Sequence, residues 1–421
     1  MRMHQAKYLI AGASHAALAA VNAIRMLNRD GEIALVSRDR QLPYSPTVLP
    51  YVVSGRSRSE QVALRDEDYF ARLGVRLLRG NGVAHLDAGR RVATLENGDA
   101  WAYEKLLLAT GATPAVPKVQ GLKLVPYHVL RTMDDAVKLN RALDGASSAV
   151  VLGAGLIGMH AAENLVKAGL QVTIVELQDQ VLPGYLDRRA ADMIARTFTE
   201  NGVSMHLGRA VVAARSGSGC TVLLEGGEMV TADLLMVCTG VAPVIGYLAG
   251  TPVETDRGVL VNEHMASSVP GIWAAGDVAQ ARGFYGEARI VAGIVPAAVE
   301  QGRVAGMAMI GDPDLKPYAG HVPLNTYGFF GHKAVSVGLS DETAIAGDVE
   351  AFVTADEGAV TYRKILFADG RLVGISGIDA AFDPGIMWQL ILRRIDLRPV
   401  KDAFLAQPME TARAVMSRTW R

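Results

Sequence analysis

Three glycines and one carboxylate carry the clearest chemistry in this sequence. Gly153, Gly155 and Gly158, with Leu156 and Ile157 between the last two, stand in G-x-G-x-x-G register, and Glu176 follows 23 residues after Gly153. Glycines at that spacing let backbone approach a pyrophosphate lying over a helix N-terminus, and the later acid accepts hydrogen bonds from a ribose 2′-OH. A 2′-phosphate ~4 Å from that carboxylate would be repelled by about 4 kcal/mol at an effective dielectric near 20, roughly several hundredfold in affinity. No arginine follows Glu176 immediately, so the expected ligand is NAD(H) rather than NADP(H). A second cluster stands at the start of the chain. Gly12, Ser14 and Ala17 occupy the three small positions, His15 and Ala16 open the following helix pattern, and Asp39 sits where the ribose acid is needed. An ordinary βαβ turn is the alternative reading of this first cluster.

Each cluster needs a strand before it and a helix after it, and the apolar patterns supply both. KYLIAGASHAALAAVNAI at residues 7–24 reads as strand, tight turn and alanine-rich helix, with a second strand, EIALVSRD, ending at Asp39. SAVVLGAGLIGMHAAENLVKAGLQVTIVE repeats the pattern and ends its second strand at Glu176. LLLATGATP at 106–114 and IWAAGDVA at 272–279 are apolar strands entering glycine turns, where backbone can pass close to a flat cofactor and Asp277 can hydrogen-bond a ribityl chain. Two dinucleotide openings imply two bound dinucleotides. The simplest pair is a tightly held FAD and an exchangeable NAD(H).

Length and composition agree with a multidomain globular chain. At roughly 150 residues per domain, 421 residues make two or three domains. Half the residues are hydrophobic and 42 basic side chains face 43 acidic ones, which excludes intrinsic disorder and a polyanion-binding field, so no nucleic-acid partner is expected. Cys220 and Cys238 are the only cysteines, and an iron–sulfur cluster or structural zinc needs about four ligands, so no metal site is expected within the chain. The apolar start imitates a secretory signal, but His15 interrupts it, and no apolar run approaches the ~20 residues of a membrane span. The expectation is a cytoplasmic protein without a membrane partner.

Taken together, these motifs resemble the FAD-dependent pyridine-nucleotide oxidoreductases of the glutathione-reductase structural class over nearly the whole chain. The resemblance implies an α/β fold with two Rossmann-like dinucleotide-binding domains and an α+β C-terminal interface domain. It divides the chain into a discontinuous FAD domain at 1–118 and 250–318, an NAD domain at 119–249 and a C-terminal region at 319–421. It places Ala109, Thr110 and Gly111 as the segment closing the FAD lobe and Gly276 and Asp277 as the return to the flavin. Ala297 lies at the start of a helix, within PAAVEQGRVAG at 296–306, whose N-terminus faces the flavin, and Gly240 joins the NAD contacts. In such proteins the last region, here with strand patterns GHKAVSVGL, AVTYRKILFADG and RLVGISGI, meets a second copy of the chain. Tyr327, Phe329 and Phe330 read as core packing, with a flavin cover or an interface as alternatives. Trp388, in MWQLILRR, reads as part of a buried amphipathic helix that ends in a solvated Arg393 and Arg394.

Departures from the family pattern narrow the chemistry. PYSPTVLPYVVSG at 43–55 resembles the flavin-proximal segment of the CoA-disulfide reductase and NADH oxidase branch, where a redox cysteine stands at the position of Thr47. A threonine hydroxyl forms no disulfide, sulfenic acid or flavin adduct. Pro46 stands where the rubredoxin, ferredoxin and nitrite reductase branch has a cation, and His160 replaces a family glutamate, either altering nicotinamide stacking or pH response or simply packing in the helix. The closer resemblance is to FAD subunits of bacterial multisubunit oxidoreductases, of the phenylglyoxylate dehydrogenase and tungsten aldehyde oxidoreductase kinds. It implies that Fe–S clusters of a partner subunit or ferredoxin exchange electrons with the flavin, whose N5 carries hydride to or from NAD(H) with no catalytic side chain. A free-standing NADH:ferredoxin or rubredoxin reductase or NADH oxidase is the rival enzyme, and an FAD- and NAD-binding redox sensor the rival of another class.

Overall fold

The computed structural model describes residues 2–217, 219–345 and 348–419, and the chain divides into two compact units. The first comprises residues 1–114, 131–137 and 241–321. Its sheet places Met3–Ala11 in parallel between Ile33–Ser37 and Ala100–Leu108, with Val75–Arg79 beyond Ile33–Ser37 and the short strand Ile272–Ala274 pairing in parallel with Ala100–Leu108. Parallel strands covered on both faces read as continuous apolar runs, and Leu9, Ile10, Ile33 and Leu35 are fully buried accordingly. The second strand stops at Ser37, so Asp39 lies two residues beyond it in the following turn, where its carbonyl accepts from the Gly80 amide at 2.9 Å.

Helices His15–Leu27 and Val295–Ile310 lie against each other with almost no side chain between them. A Cβ at Gly302 would fall 2.1 Å from the Ala16 carbonyl oxygen, and one at Gly306 would fall 2.7 Å from that of Ala20. Small residues at helical spacing therefore set the distance between the two helices.

The second unit comprises residues 115–130, 138–240 and 322–421. Its four-stranded parallel sheet runs Ser204–Leu207, Gln171–Glu176, Ser148–Leu152, Leu234–Val237, with helices Leu156–Lys167 and Arg188–Glu200 and a separate antiparallel trio at 211–232. The C-terminal portion is a five-stranded antiparallel sheet ordered Leu324–Phe329, His332–Gly338, Arg371–Ile378, Thr361–Ala368, Val349–Asp356, followed by helices Pro384–Leu392, Lys401–Ala406 and Pro408–Thr419. Met387, Leu390 and Ile391 are buried, and Trp388 donates its indole N–H to the Val322 carbonyl at 3.0 Å. Arg393 bonds Gln389 at 2.9 Å.

Two groups of contacts tie this sheet to the helices of the same unit. Tyr327 stacks on Phe329, and Phe198 packs against both Phe329 and Phe330, so the aromatic run belongs to a core. Lys364 is buried between Asp187 at 3.0 Å and Glu342 at 2.9 Å, while the Tyr362 hydroxyl donates to Asp187 at 2.5 Å. Burial works against the Lys364 charge, but the hydrogen bonds it donates to Glu342 and Asp187 more than offset it and its pKa is raised.

Two stability measurements follow from this packing. Gly302→Val, by forcing the two helices of the first unit apart, should cost about 1–3 kcal/mol in urea unfolding. Burial lowers the pKa of His321 from 6.5 to about 4. Below pH 6.5 the unfolded chain takes up a proton that folded His321 refuses, so stability present above that pH is lost as pH falls towards 4. The loss is about 3 kcal/mol at most, and unfolding curves of His321→Leu should lack that slope.

Candidate functional site

Both glycine turns end in helices whose first amides have no side-chain partner. Ser14 caps His15–Leu27, Gly155 caps Leu156–Lys167 and Ile294 caps Val295–Ile310, none with a side-chain hydrogen bond. By contrast Asp66, Asp187 and Asp383 each accept an amide at the start of their own helices. Open amides at a positive helix end suit an anion, phosphate above all.

In the first unit the turn at Gly12 opens onto a half-open cleft of about 220 Å³. Gly12 has φ +121, and a Cβ there would fall 1.9 Å from the Ala109 carbonyl oxygen, so no other residue fits between the two strand ends. Of the residues singled out in the sequence, Gly12, Ser14, Asp39, Pro46, Ala109, Thr110 and Gly111 line the cleft. His15, Ala16, Thr47, Gly276, Asp277 and Ala297 lie outside its lining. Ala16 and Ala298 approach the site of a Gly276 Cβ at 3.2 and 3.7 Å, which puts that turn beside both helices. The Gln301 side chain holds the turn by accepting from the Gly276 amide at 2.8 Å and donating to the Tyr318 hydroxyl at 3.3 Å.

Several lining residues, Arg131 and Tyr44 among them, had no signal in the sequence, and Thr110, which had one, gains partners from a distant stretch. Arg131 reaches the Asp277 carboxylate at 2.8 Å and the Ala112 carbonyl at 2.9 Å, so Asp277 meets a guanidinium as well as any polyol. Tyr44 donates to Asp39 at 2.8 Å and accepts from the Met133 amide at 2.9 Å. Burial, then the neighbouring Asp39 charge, pushes its phenol pKa up. Thr110 donates to the Val244 carbonyl at 3.0 Å and lies 3.2 Å from the Tyr247 hydroxyl. The Tyr44–Met133, Thr110–Val244 and Arg131–Asp277 partners are 89 to 146 residues apart in the chain, beyond the reach of local motifs.

The second glycine turn lies wholly within the second unit. Gly153 has φ +102 and backs onto the Cys238 carbonyl, Gly158 backs onto the Gly153 carbonyl, and a Cβ at Gly155 would meet nothing within 4 Å. That open space, beside uncapped amides, is where a pyrophosphate fits. Glu176 ends its strand; its carboxylate accepts from the Ala154 amide at 2.6 Å and the Gln178 amide at 2.8 Å. Ile157 and Leu177, which follow Gly155 and Glu176, are 45% and 66% exposed, apolar surface that a bound dinucleotide would cover. Leu156 begins the helix, and the Gly240 carbonyl accepts from the Ala115 amide at 3.0 Å.

His160 packs edge-on against Tyr327, ring centres 4.7 Å apart. Burial lowers its pKa, with Glu163 pulling it back up, so the ring is neutral at neutral pH. Glu163 accepts from the Phe330 amide at 2.8 Å and pairs with Lys167. Burial raises the Cys238 thiol to about 12 and raises Cys220 as well, which favours the protonated, less nucleophilic form of each. No helix among the described residues is long and apolar enough to cross a membrane.

Two glycine-turn sites, one in each unit, define an oxidoreductase that works with two dinucleotides. The chain belongs to the pyridine nucleotide-disulphide oxidoreductase family, whose profile matches residues 6–302. That family binds FAD and NAD(P)H, and the two sites fit both. The NADH-dependent phenylglyoxylate dehydrogenase subunit epsilon of Aromatoleum evansii is 52% identical over 417 residues, 99% of this chain and 98% of its own length. A rubredoxin-NAD(+) reductase of Pseudomonas putida is 29% identical over 306 residues, 72% of this chain and 80% of its own. A chain of the covalent putidaredoxin reductase–putidaredoxin complex shares the fold, with a TM-score of 0.86 at 24% identity over 97% of this chain and 98% of that one.

Glu176→Ala removes the charge that opposes a 2′-phosphate. The ratio of NADH to NADPH affinity, read by titration, should fall by roughly tenfold or more; an unchanged ratio would remove Glu176 from the ribose site.

Proposed function

We propose that this chain is the FAD-containing electron-transfer subunit of a multisubunit oxidoreductase, linking Fe–S clusters of partner subunits to NAD+/NADH. The observation that carries the reading is two open dinucleotide sites in a chain with no reactive thiol. The hydroxyl of Thr47 stands where the resembled branch has its cysteine, and both cysteines are held protonated by burial. The named role of the 52% identical relative supports the same reading.

Bound FAD supplies the conversion between single electrons and hydride. The chain's own residues bind, orient and shield. The Gly12 turn and the amides after Ser14 take the FAD pyrophosphate, Asp39 and Tyr44 its ribose end, and Arg131 with Asp277 the polyol and phosphate side. The open start of Val295–Ile310, at Ala297, favours negative charge on the adjoining ring system. The Gly153 turn takes the NAD pyrophosphate and Glu176 its adenosine ribose. Residues 1–118 and 250–318, joined in the cleft by Arg131, Val244 and Tyr247, thus serve FAD, the rest of 119–249 serves NAD(H), and 319–421 offer a surface to another subunit. The organic substrate of such a complex is handled by a partner chain.

The test is to mix the FAD-loaded chain with NADH without oxygen and follow flavin absorbance. Bleaching at roughly 1–1,000 s⁻¹, the ordinary range of enzyme turnover, with much slower steady oxidation of NADH in air, is the expected result. Fast aerobic turnover would make the chain a self-sufficient NADH oxidase, and absence of bleaching would leave a sensor.

A further inference from the structure

We infer that Thr47, Ser45 and His15 form a proton path from solvent to the wall of the first cleft, serving flavin reduction by single electrons. The inference rests on the electron-transfer reading above. Making NADH from NAD+ takes two electrons and one proton. Fe–S clusters supply electrons only, so each NADH formed this way draws one proton from water, and each NADH consumed returns one. Some group must carry it past the protein surface.

The structure holds one such chain beside the glycine turn. Thr47 is exposed, and its Oγ1 lies 2.8 Å from Ser45 Oγ. Ser45 is buried, and its Oγ lies 3.0 Å from Nε2 of half-buried His15, the first residue of its helix. The chain neighbours of these residues, Ser14 and Pro46, both line the cleft. Each hydroxyl can donate and accept at once, and imidazole can take a proton on one nitrogen while releasing one from the other. Water gives a proton to Thr47 as Thr47 passes its own to Ser45; Ser45 passes its own to His15 Nε2, and His15 would release its Nδ1 proton to the ring system held in the cleft, balancing the charge that the arriving electrons bring. Each O–H or N–H bond broken is matched by one formed, and rotation of the groups resets the path. Burial lowers the His15 pKa while Asp277 pulls it back up, so the ring stays neutral and ready to accept.

The path matters only when electrons arrive without a proton. NADH brings hydride and needs none from solvent, whereas reduced methyl viologen brings one electron at a time. The FAD-loaded full chain is therefore mixed without oxygen with each donor, as wild type, Ser45→Ala, Ser45→Thr and Thr47→Val. The expected result for Ser45→Ala and Thr47→Val is a methyl viologen rate down by roughly tenfold to a hundredfold, in the range of lost proton-transfer assistance, and down relative to the NADH rate of the same variant. Ser45→Thr should restore it, and the wild-type rate should fall in D₂O. A second readout needs no turnover: the His15 ring nitrogen resonances, assigned with His15→Asn, should shift in Ser45→Ala as the tautomer is released. Unchanged methyl viologen rates in both variants, or unmoved His15 resonances, overturn the path. If NADH fails to bleach the wild type, the proposed function falls, while viologen rates and His15 resonances still decide the path.

Discussion

Helix His15–Leu27 is held by backbone at both its start and its flank. Its first turn follows a glycine that a Cβ would drive into the Ala109 carbonyl, and its flank meets Gly302 and Gly306, whose missing Cβ atoms leave room for the Ala16 and Ala20 carbonyls. Close backbone contact leaves little room for relaxation, because packed interiors tolerate added methyl groups poorly. It also leaves the amides at the helix start without competing side chains, which is what a pyrophosphate requires. The GD turn depends on the same contact: Gln301, on the facing helix, holds the Gly276 amide. Fold and ligand site in the first unit thus share one constraint, the distance between two helix backbones.

The second unit reaches a similar rigidity by polar means. Asp187 serves at once as helix cap, partner of Lys364 and acceptor for Tyr362, and Glu163 accepts the Phe330 amide from the C-terminal sheet. A buried charge with every partner in place adds little net stability, but losing one partner costs about 3–5 kcal/mol. Such a cluster fixes one arrangement of sheet and helices rather than strengthening all of them. The nucleotide turn at Gly153 leads from the parallel sheet into helix Leu156–Lys167, the helix whose Glu163 holds the Phe330 amide, so the turn is fixed from that side as well.

The parts legible in the sequence are those with short-range physical causes. Gly153, Gly155 and Gly158 each answer a local need, two for close backbone approach and one for open space, and the strand ending at Glu176 follows from an unbroken apolar run. The strand before Asp39 ends at Ser37, just past its apolar run and two residues short of the expected Asp39, whose carbonyl instead meets the Gly80 amide from a distant part of the chain. Arg131, Tyr44 and Gln301 were invisible for the same reason: each acts through a partner from another part of the fold. Leu177 gave no signal because exposed apolar residues are common, and it gains meaning only beside a glycine turn with room for a ligand.

What remains to the side chains is set by what they cannot do. Cys220 is buried and Cys238 half-buried, and burial raises both thiols, so neither is a ready nucleophile, while Thr47 brings a hydroxyl next to Pro46 of the first cleft. A hydroxyl cannot store electrons, yet it conducts protons as readily as it accepts hydrogen bonds. Exchanging a thiol for a hydroxyl therefore separates two tasks. Electrons must be stored by cofactors, and the protein keeps the task of delivering charge-balancing protons and holding the cofactors at fixed positions. Thr47, which departs from the family pattern, joins Ser45 and His15 in one hydrogen-bonded chain near the first cleft, in keeping with that division of labour.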